Sequence, residues 1–262
     1  MKFTFDKYHG TGNDFIILDN RAGQFSGLTE KDIRTMCHRH FGIGADGLLL
    51  YQNKDGFDFE MVYFNADGKA STMCGNGGRC MVMYAYNSGL SKFTYHFLAP
   101  DGAHEAEIDN RGEVRLKMQD VSSMDENAQR TVLNTGSPHY VKFVSSLEKV
   151  NAKEEGAAIR NSKKYENEGI NVNFVERLGE AVIGVRTYER GVEDETMSCG
   201  TGVTAAALSS AHNPLGFNRV EVRTPGGNLS VEYNKLSDHT FNNIWLCGPA
   251  TFVFRGEWAL TE

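Results

Sequence analysis

Cys74-Gly75-Asn76-Gly77 and Cys199-Gly200-Thr201-Gly202 are nearly one phrase written twice, and the offset between them (199 − 74 = 125) organises the rest of the chain. Pro100-Asp101-Gly102 recurs as Pro225-Gly226-Gly227 at that same offset, and Glu107 is answered by Glu232. Self-similarity at a fixed spacing marks a duplicated structural unit. What surrounds the anchors also matches in kind. Each half has strand-like apolar positions (Phe57, Phe59, Met61 and Tyr63, then Val182 and Val185), a polar loop, Cys-Gly-x-Gly and a helix-like run. A strand, a Pro-containing turn and another strand follow. The helical runs read as Arg79 to Asn87, stopped by Ser88-Gly89, and Ala-rich Val203 to Ala211, ended before Asn213-Pro214. Thr29 to His40 reads as a third helix, with Thr29 as N-cap and Ile33, Met36 and Cys37 on one face. One Gly-rich turn can match another by chance; three anchors at one offset argue for duplication. The expected fold class is α+β, with two related strand-rich domains at residues 1–118 and 119–249 and a boundary near 118–122. The final segment, 250–262, with a strand from Thr251 to Trp258, is expected to return to the first domain.

Composition narrows the classes of function. The chain has 262 residues, 40% hydrophobic and 23% charged, as in ordinary globular proteins. Its net charge of −7 argues against non-specific nucleic-acid binding, which needs a basic surface. No apolar run reaches the roughly 18 residues that suggest a membrane span. The start, MKFTFDKYHG, has no apolar signal core, so the expected location is cytoplasmic, with no membrane partner. Five cysteines stand at 37, 74, 80, 199 and 247, odd in number and without a C-x-x-C pair. They suggest neither a disulfide framework nor a zinc ribbon, and in a reducing compartment they are thiols.

Cysteine is among the most buried residue types, so Cys37, Cys80 and Cys247 are assigned to packing. Cys74 and Cys199 stand in a different context, each just before a helix and beside glycines. A helix entrance leaves N–H groups without helical partners and carries partial positive charge. Gly75-Asn76 and Gly200-Thr201 are therefore expected to hold a substrate carboxylate. The same field favours ionisation of the neighbouring thiol. If the halves pack about a pseudo-twofold axis, an amino acid in the cleft between them has one sulfur on each side of its α-carbon. One thiolate then removes the α-proton and the opposite thiol delivers one to the other face, inverting the centre. This chemistry needs no cofactor, and two isolated cysteines fall short of a metal-ligand set.

Three segments make the chain resemble diaminopimelate epimerases over essentially its whole length. They are His9-Gly10-Thr11-Gly12-Asn13-Asp14-Phe15; Asn65 with Met73-Cys74-Gly75-Asn76-Gly77-Gly78-Arg79-Cys80; and Glu189-Arg190-Gly191 with Glu195-Thr196 and Cys199-Gly200-Thr201-Gly202. The resemblance implies conversion of LL-2,6-diaminopimelate to the meso form, a step toward lysine and peptidoglycan. It puts Cys74 and Cys199 on the family's acid/base cysteines, and His139 and Glu189 on polar partners of the two thiols. Asn13, Asn65, Asn171, Glu189 and Arg190 fall on its substrate-binding positions. It further implies two pseudo-symmetric barrel-like domains, each wrapped around a central helix, and a homodimer. Arg190 suits the distal carboxylate as a bidentate partner, and asparagine side chains suit the distal ammonium. Three features depart from the family's common form: Ser137 before Pro138-His139, Gly47 after Asp46, and a loop from Gly191 to Thr196 one residue longer.

Two other readings stay open at this level. One is a related racemase or epimerase acting on proline, hydroxyproline or histidine. The other, from a different class, is a non-catalytic thiol protein that senses redox state or binds a ligand.

Overall fold

The computed structural model describes residues 2–71 and 73–260, and the chain falls into two compact units. Unit 1 comprises the chain through Leu116 together with the segment from Pro249; unit 2 is Lys117–Gly248. The termini of the expected first domain, Met1 and residues 261–262, lie outside the described residues.

In unit 1, β1 (Lys2–Gly10) and β2 (Asn13–Asp19) form a hairpin, then α1 (Glu30–Cys37) leads to β3 (Gly47–Gln52), which lies parallel to β2. The antiparallel strand β4 (Phe59–Asn65) follows, and α2 (Gly75–Asn87) crosses to β5 (Thr94–Ala99), parallel to β4. The strands β6 (Gly102–Ile108) and β7 (Val114–Lys117) complete the ladder as antiparallel neighbours.

Unit 2 repeats this grammar. After β8 (Met124–Asn127), β9 (Arg130–Asn134) and β10 (Pro138–Phe143) form an antiparallel pair, and α3 (Ala152–Arg160) leads to β11 (Asn171–Arg177), parallel to β10. The antiparallel β12 (Val182–Glu189) carries a short return strand, β13 (Asp194–Thr196). The helix α4 (Gly200–Leu208) then crosses to β14 (Gly216–Thr224), parallel to β12, and β15 (Gly227–Ser237) and β16 (Thr240–Gly248) end the unit in antiparallel pairing. The strand senses run antiparallel, parallel, antiparallel, parallel, antiparallel, antiparallel in both units. The last strand of the chain, β17 (Thr251–Ala259), pairs antiparallel with β1 in unit 1.

The 125-residue offset is kept where the geometry is tightest. It separates the first residues of α2 and α4 (Gly75 and Gly200), and the first residues of β6 and β15 (Gly102 and Gly227). Both strand-opening glycines take positive φ, +131° and +141°, beside the turns that contain Pro100 and Pro225. Glu107 and Glu232 each form an ion pair across the sheet, with Arg115 and Arg219.

Both crossover helices are buried on nearly every side, which is why neither shows a polar stripe. In unit 2 the Val203–Leu208 run packs into an apolar cluster with Val141, Val185, Val220, Val231 and Leu246. Each valine or leucine side chain taken fully out of water contributes roughly 1.5–3 kcal/mol. Both helices begin earlier than the sequence suggests, at Gly75 rather than Arg79 and at Gly200 rather than Val203, and α4 stops at Leu208 rather than Ala211. Glycines score poorly as helix formers, so their first turns read as loop. The third expected helix is shorter than Thr29 to His40: α1 ends at Cys37, where His38 turns extended. Its start is as expected, with Thr29 and Asp32 forming a reciprocal capping box and Ile33, Met36 and Cys37 buried. The Gly191–Thr196 segment is a tight turn followed by β13, not an open loop. The sequence reading did not anticipate α3, which is capped by Asn151, whose side chain accepts from the Glu154 N–H. Among the described residues no helix is long and apolar enough to cross a membrane.

Candidate active site

Cys74 is the N-cap of α2, and Cys199 is the N-cap of α4. Their backbones match closely, with φ −111° and ψ 124° at Cys74 and φ −111° and ψ 113° at Cys199. Neither side chain caps its own helix, so each sulfur is released from the job an N-cap serine would do. The first-turn N–H groups that follow, from Gly75 and Asn76 or from Gly200 and Thr201, cannot reach a helical carbonyl and point out of the helix end. Cys74 is half-buried and Cys199 buried.

Around Cys74, the β1–β2 hairpin supplies the wall. Its two turn residues, Thr11 and Gly12, both have positive φ (49° and 84°), the twist a two-residue hairpin needs. For the β-branched Thr11 this backbone is strained, and the strained turn delivers Asn13 to the sulfur. Cys74 Sγ lies 3.5 Å from Asn13 Oδ1 as donor, and Asn76 Nδ2 donates to the same oxygen at 3.3 Å. Asn13 Nδ2 in turn donates to Asp46 Oδ2 at 2.8 Å. A carboxylate only accepts, so Asp46 fixes which end of the Asn13 amide faces the sulfur. Asp46 is itself held by Arg39 at 2.6 Å, and Arg39 also grips Asp14. Burial would raise the Asp14 carboxyl, but hydrogen bonds from Arg39 and Lys7 outweigh it and hold the group at about 2.

Arg79, fully buried, ties the same corner together. Its guanidinium donates to Asn76 Oδ1 at 3.0 Å, to the Gly75 carbonyl at 3.3 Å and to Thr11 Oγ1 at 3.4 Å. Gly10 packs tightly against this corner, where a Cβ would lie 3.0 Å from the Asn76 carbonyl oxygen. Asn65 ends β4 opposite Gly47 and is exposed. Gly47 has no room for a side chain, because a Cβ would lie 2.6 Å from the Phe64 carbonyl oxygen.

Unit 2 gathers the other expected residues. Cys199 Sγ and Thr201 Oγ1 are 3.5 Å apart, and the Thr135 hydroxyl donates to the Thr201 carbonyl at 2.8 Å. His139 is fully buried on β10, with Nδ1 3.1 Å from Asn173 Nδ2. Burial, reinforced by the nearby Arg190 charge, lowers its pKa from the usual 6.5 to about 3, so it is neutral across the physiological range. Glu189 ends β12 and accepts from the Thr196 hydroxyl at 3.0 Å. Asn171 is buried and braces the neighbouring residues: its Nδ2 donates to Ser137 Oγ (2.8 Å) and to the Pro138 carbonyl (3.0 Å), and its Oδ1 accepts the Arg190 N–H (2.9 Å). The exposed Arg190 guanidinium is steadied by the Glu168 carbonyl at 2.8 Å and Ser137 Oγ at 3.4 Å. Ser137 thus fills its place in the motif by linking Asn171 to Arg190.

Cys37, Cys80 and Cys247 are buried. Burial pushes the Cys37 thiol up to about 12 and raises Cys80 further, which keeps both as unreactive thiols. Among the described residues no group of three or more His, Cys, Asp or Glu side chains could hold a metal. Asp46, Arg79, Asn173 and Thr187, whose hydroxyl donates to Asn173 Oδ1 at 2.9 Å, were not singled out from sequence. Arg79 stood inside the quoted motif, and Asn173 two residues from Asn171 on the same strand, so alternation alone placed both asparagines on one face.

The family model described as diaminopimelate epimerase matches residues 5–124 and 131–253. The chain belongs to that family. A diaminopimelate epimerase of Flavobacterium psychrophilum is 47% identical over 249 residues, covering 95% of this chain and 97% of the relative. One from Chlorobaculum tepidum is 44% identical, covering 94% and 98%. As a member of the diaminopimelate epimerase family the protein is an isomerase of the epimerase type. Solved structures share the fold at low identity. A hydroxyproline epimerase from Agrobacterium vitis with bound trans-4-hydroxy-L-proline matches at TM-score 0.70 and 14% identity, covering 100% of this chain and 93% of that one. A Bacillus anthracis protein of the PhzF family matches at TM-score 0.74 and 16% identity, covering 99% and 100%.

Proposed function

We propose that the protein interconverts LL- and meso-2,6-diaminopimelate without a cofactor, using Cys74 and Cys199 as the two acid/base groups at one α-carbon. The observation that carries this is the pair of cysteines at the N-cap positions of two buried, repeat-related helices. In this mechanism one cysteine is a thiolate and removes the α-proton, while the other is a thiol and protonates the opposite face. The carbanionic transition state moves charge onto the α-carboxylate, which the Gly75-Asn76 and Gly200-Thr201 ends receive. Dipoles set in place before the reaction are commonly the largest catalytic term, each donor worth roughly 3–4 kcal/mol. His139 and Glu189 support the thiols; Asn13, Asn65, Asn171 and Arg190 serve the substrate, with Arg190 at the distal carboxylate. A cytoplasmic location, a homodimer and a place in the route to lysine and peptidoglycan belong to the same proposal.

The test is solvent exchange. Reduced protein in D2O, with no pyridoxal phosphate added, is expected to exchange the α-proton of diaminopimelate and equilibrate its stereoisomers. Cys74→Ala and Cys199→Ala are each expected to abolish turnover while still binding the substrate. Retention of the α-proton by active wild-type protein, or turnover of proline but not diaminopimelate, would overturn the proposal.

A further inference from the structure

Asn173 is fully buried, and both ends of its amide are engaged. Nδ2 donates to the Tyr140 carbonyl at 3.3 Å and meets His139 Nδ1 at 3.1 Å, while Oδ1 accepts from the Thr187 hydroxyl at 2.9 Å. The amide cannot be turned round. Flipped, its oxygen would face the Tyr140 carbonyl oxygen, two acceptors meeting with no water between them. The group that faces Tyr140 also faces His139, so the imidazole accepts at Nδ1 and carries its proton on Nε2. Nε2 is buried and has no hydrogen-bond partner among the described residues. Asn173 also touches the helix that Cys199 caps: a Cβ on Gly202 would lie 2.3 Å from Asn173 Oδ1 and 3.4 Å from Cys199 Cβ.

We propose that Asn173, braced by Thr187 and the Tyr140 carbonyl, is a positioning residue that fixes His139 as a neutral Nε2–H donor at the Cys199 half-site. This rests on the reading of His139 as a support for the reacting thiols. Its basic nitrogen, Nδ1, is already occupied, so His139 does not take the substrate's proton. What it offers is one N–H, suited to a thiolate or to carboxylate charge growing in the transition state.

Nitrogen-15 NMR of histidine-labelled protein reads the tautomer, with the His139 signals assigned by their loss in His139→Gln. The expected wild-type result is a proton on Nε2 and a bare Nδ1; a proton on Nδ1 overturns the proposal and leaves the thiol chemistry untouched. Asn173→Asp puts an acceptor where the donor stood. It is expected to draw the proton to Nδ1 and lower kcat roughly tenfold, with KM within about twofold. Thr187→Val is expected to lower kcat in the same direction and Thr187→Ser to recover most of the loss, a pair that decides the matter even if Asn173→Asp fails to fold. A reversed tautomer with unchanged kcat, or Thr187→Val behaving like Thr187→Ser, overturns the positioning role. If His139→Gln keeps wild-type kcat while Cys199→Ala is dead, the proposal falls and the two-cysteine mechanism stands; if the cysteine variants turn over, the mechanism itself falls.

Discussion

A carboxylate decides which way an amide points at the Cys74 half-site. Asp46 accepts from Asn13 Nδ2, leaving Oδ1 toward the sulfur and toward Asn76. Asp46→Asn removes the constraint, since the new side chain can donate or accept and Asn13 can turn. The expected result is a fall of roughly tenfold in kcat/KM, the scale of one lost oriented hydrogen bond; unchanged kinetics would show that the Asn13 amide has no bearing on Cys74. His139 gives a prediction about stability. Its folded pKa is lowered to about 3, so between pH 6.5 and 3 the unfolded chain binds a proton that the folded chain does not. Stability from this residue is complete above pH 6.5 and is lost as pH falls, by about 1.4 kcal/mol per pH unit within that window. Asp14, held at about 2, acts in a lower window, losing its contribution below about pH 3.8. Urea unfolding from pH 7 to 4.5 should therefore show a steeper loss for wild type than for His139→Gln, and parallel curves would contradict a buried neutral imidazole. At this scale the placing of Cys74 and Cys199 at helix entrances was legible in the sequence, because each stands directly before the glycines that open its helix. Their supports were not. Asp46, Arg79 and Thr187 act through long-range hydrogen bonds, and nothing local in a sequence records which distant amide a carboxylate will meet.

Among the elements, the two crossover helices carry the clearest contrast. Gly77 and Gly202 stand at the same position of the repeat, 125 residues apart, in the first turns of α2 and α4. A Cβ on Gly77 would meet only ordinary contacts, 3.5 Å to Phe15 and 3.6 Å to Cys74 and Leu49. A Cβ on Gly202 would lie 2.3 Å from Asn173 Oδ1, which is locked by its own hydrogen bonds. The same substitution is therefore expected to act differently at the two sites. Gly202→Ala should destabilise unit 2 by roughly 1–3 kcal/mol through overpacking. Gly77→Ala should be near neutral or gain up to about 1 kcal/mol from helix propensity. Thermal or urea denaturation of both variants checks this, and equal effects would mean that the Gly202 contact relaxes freely. The same glycines explain why the helix starts were misread by three or four residues. Propensity penalises glycine in a helix, whereas close tertiary approach demands it, and only the folded chain shows which one governs.

For the whole molecule, duplication was the most legible feature, because similar turns stand at one constant spacing in the sequence even where the strand residues differ. The ladder senses repeat from one unit to the next, and each repeat brings one cysteine to the mouth of its own helix. Parallel pairings such as β4 with β5 were harder to read, since a crossover helix hides which strands become neighbours. If the proposed mechanism holds, both thiols serve one α-carbon, and a two-electron oxidant should be able to link them. Treatment with diamide should then join Cys74 to Cys199: each thiol gives up its proton, two electrons pass to the diamide, and the reagent is reduced to its hydrazine. Activity should fall as the bond forms and return on adding a dithiol reductant, as thiol–disulfide exchange requires. Cys37, Cys80 and Cys247 serve as internal controls, since none of them stands at the mouth of α2 or α4. Peptide mass mapping of the inactivated protein should find the 74–199 link. Diaminopimelate added beforehand should slow its formation by standing between the sulfurs. Complete inactivation with both cysteines still free, or with either linked to one of the three buried thiols, would contradict a pair of sulfurs facing one carbon.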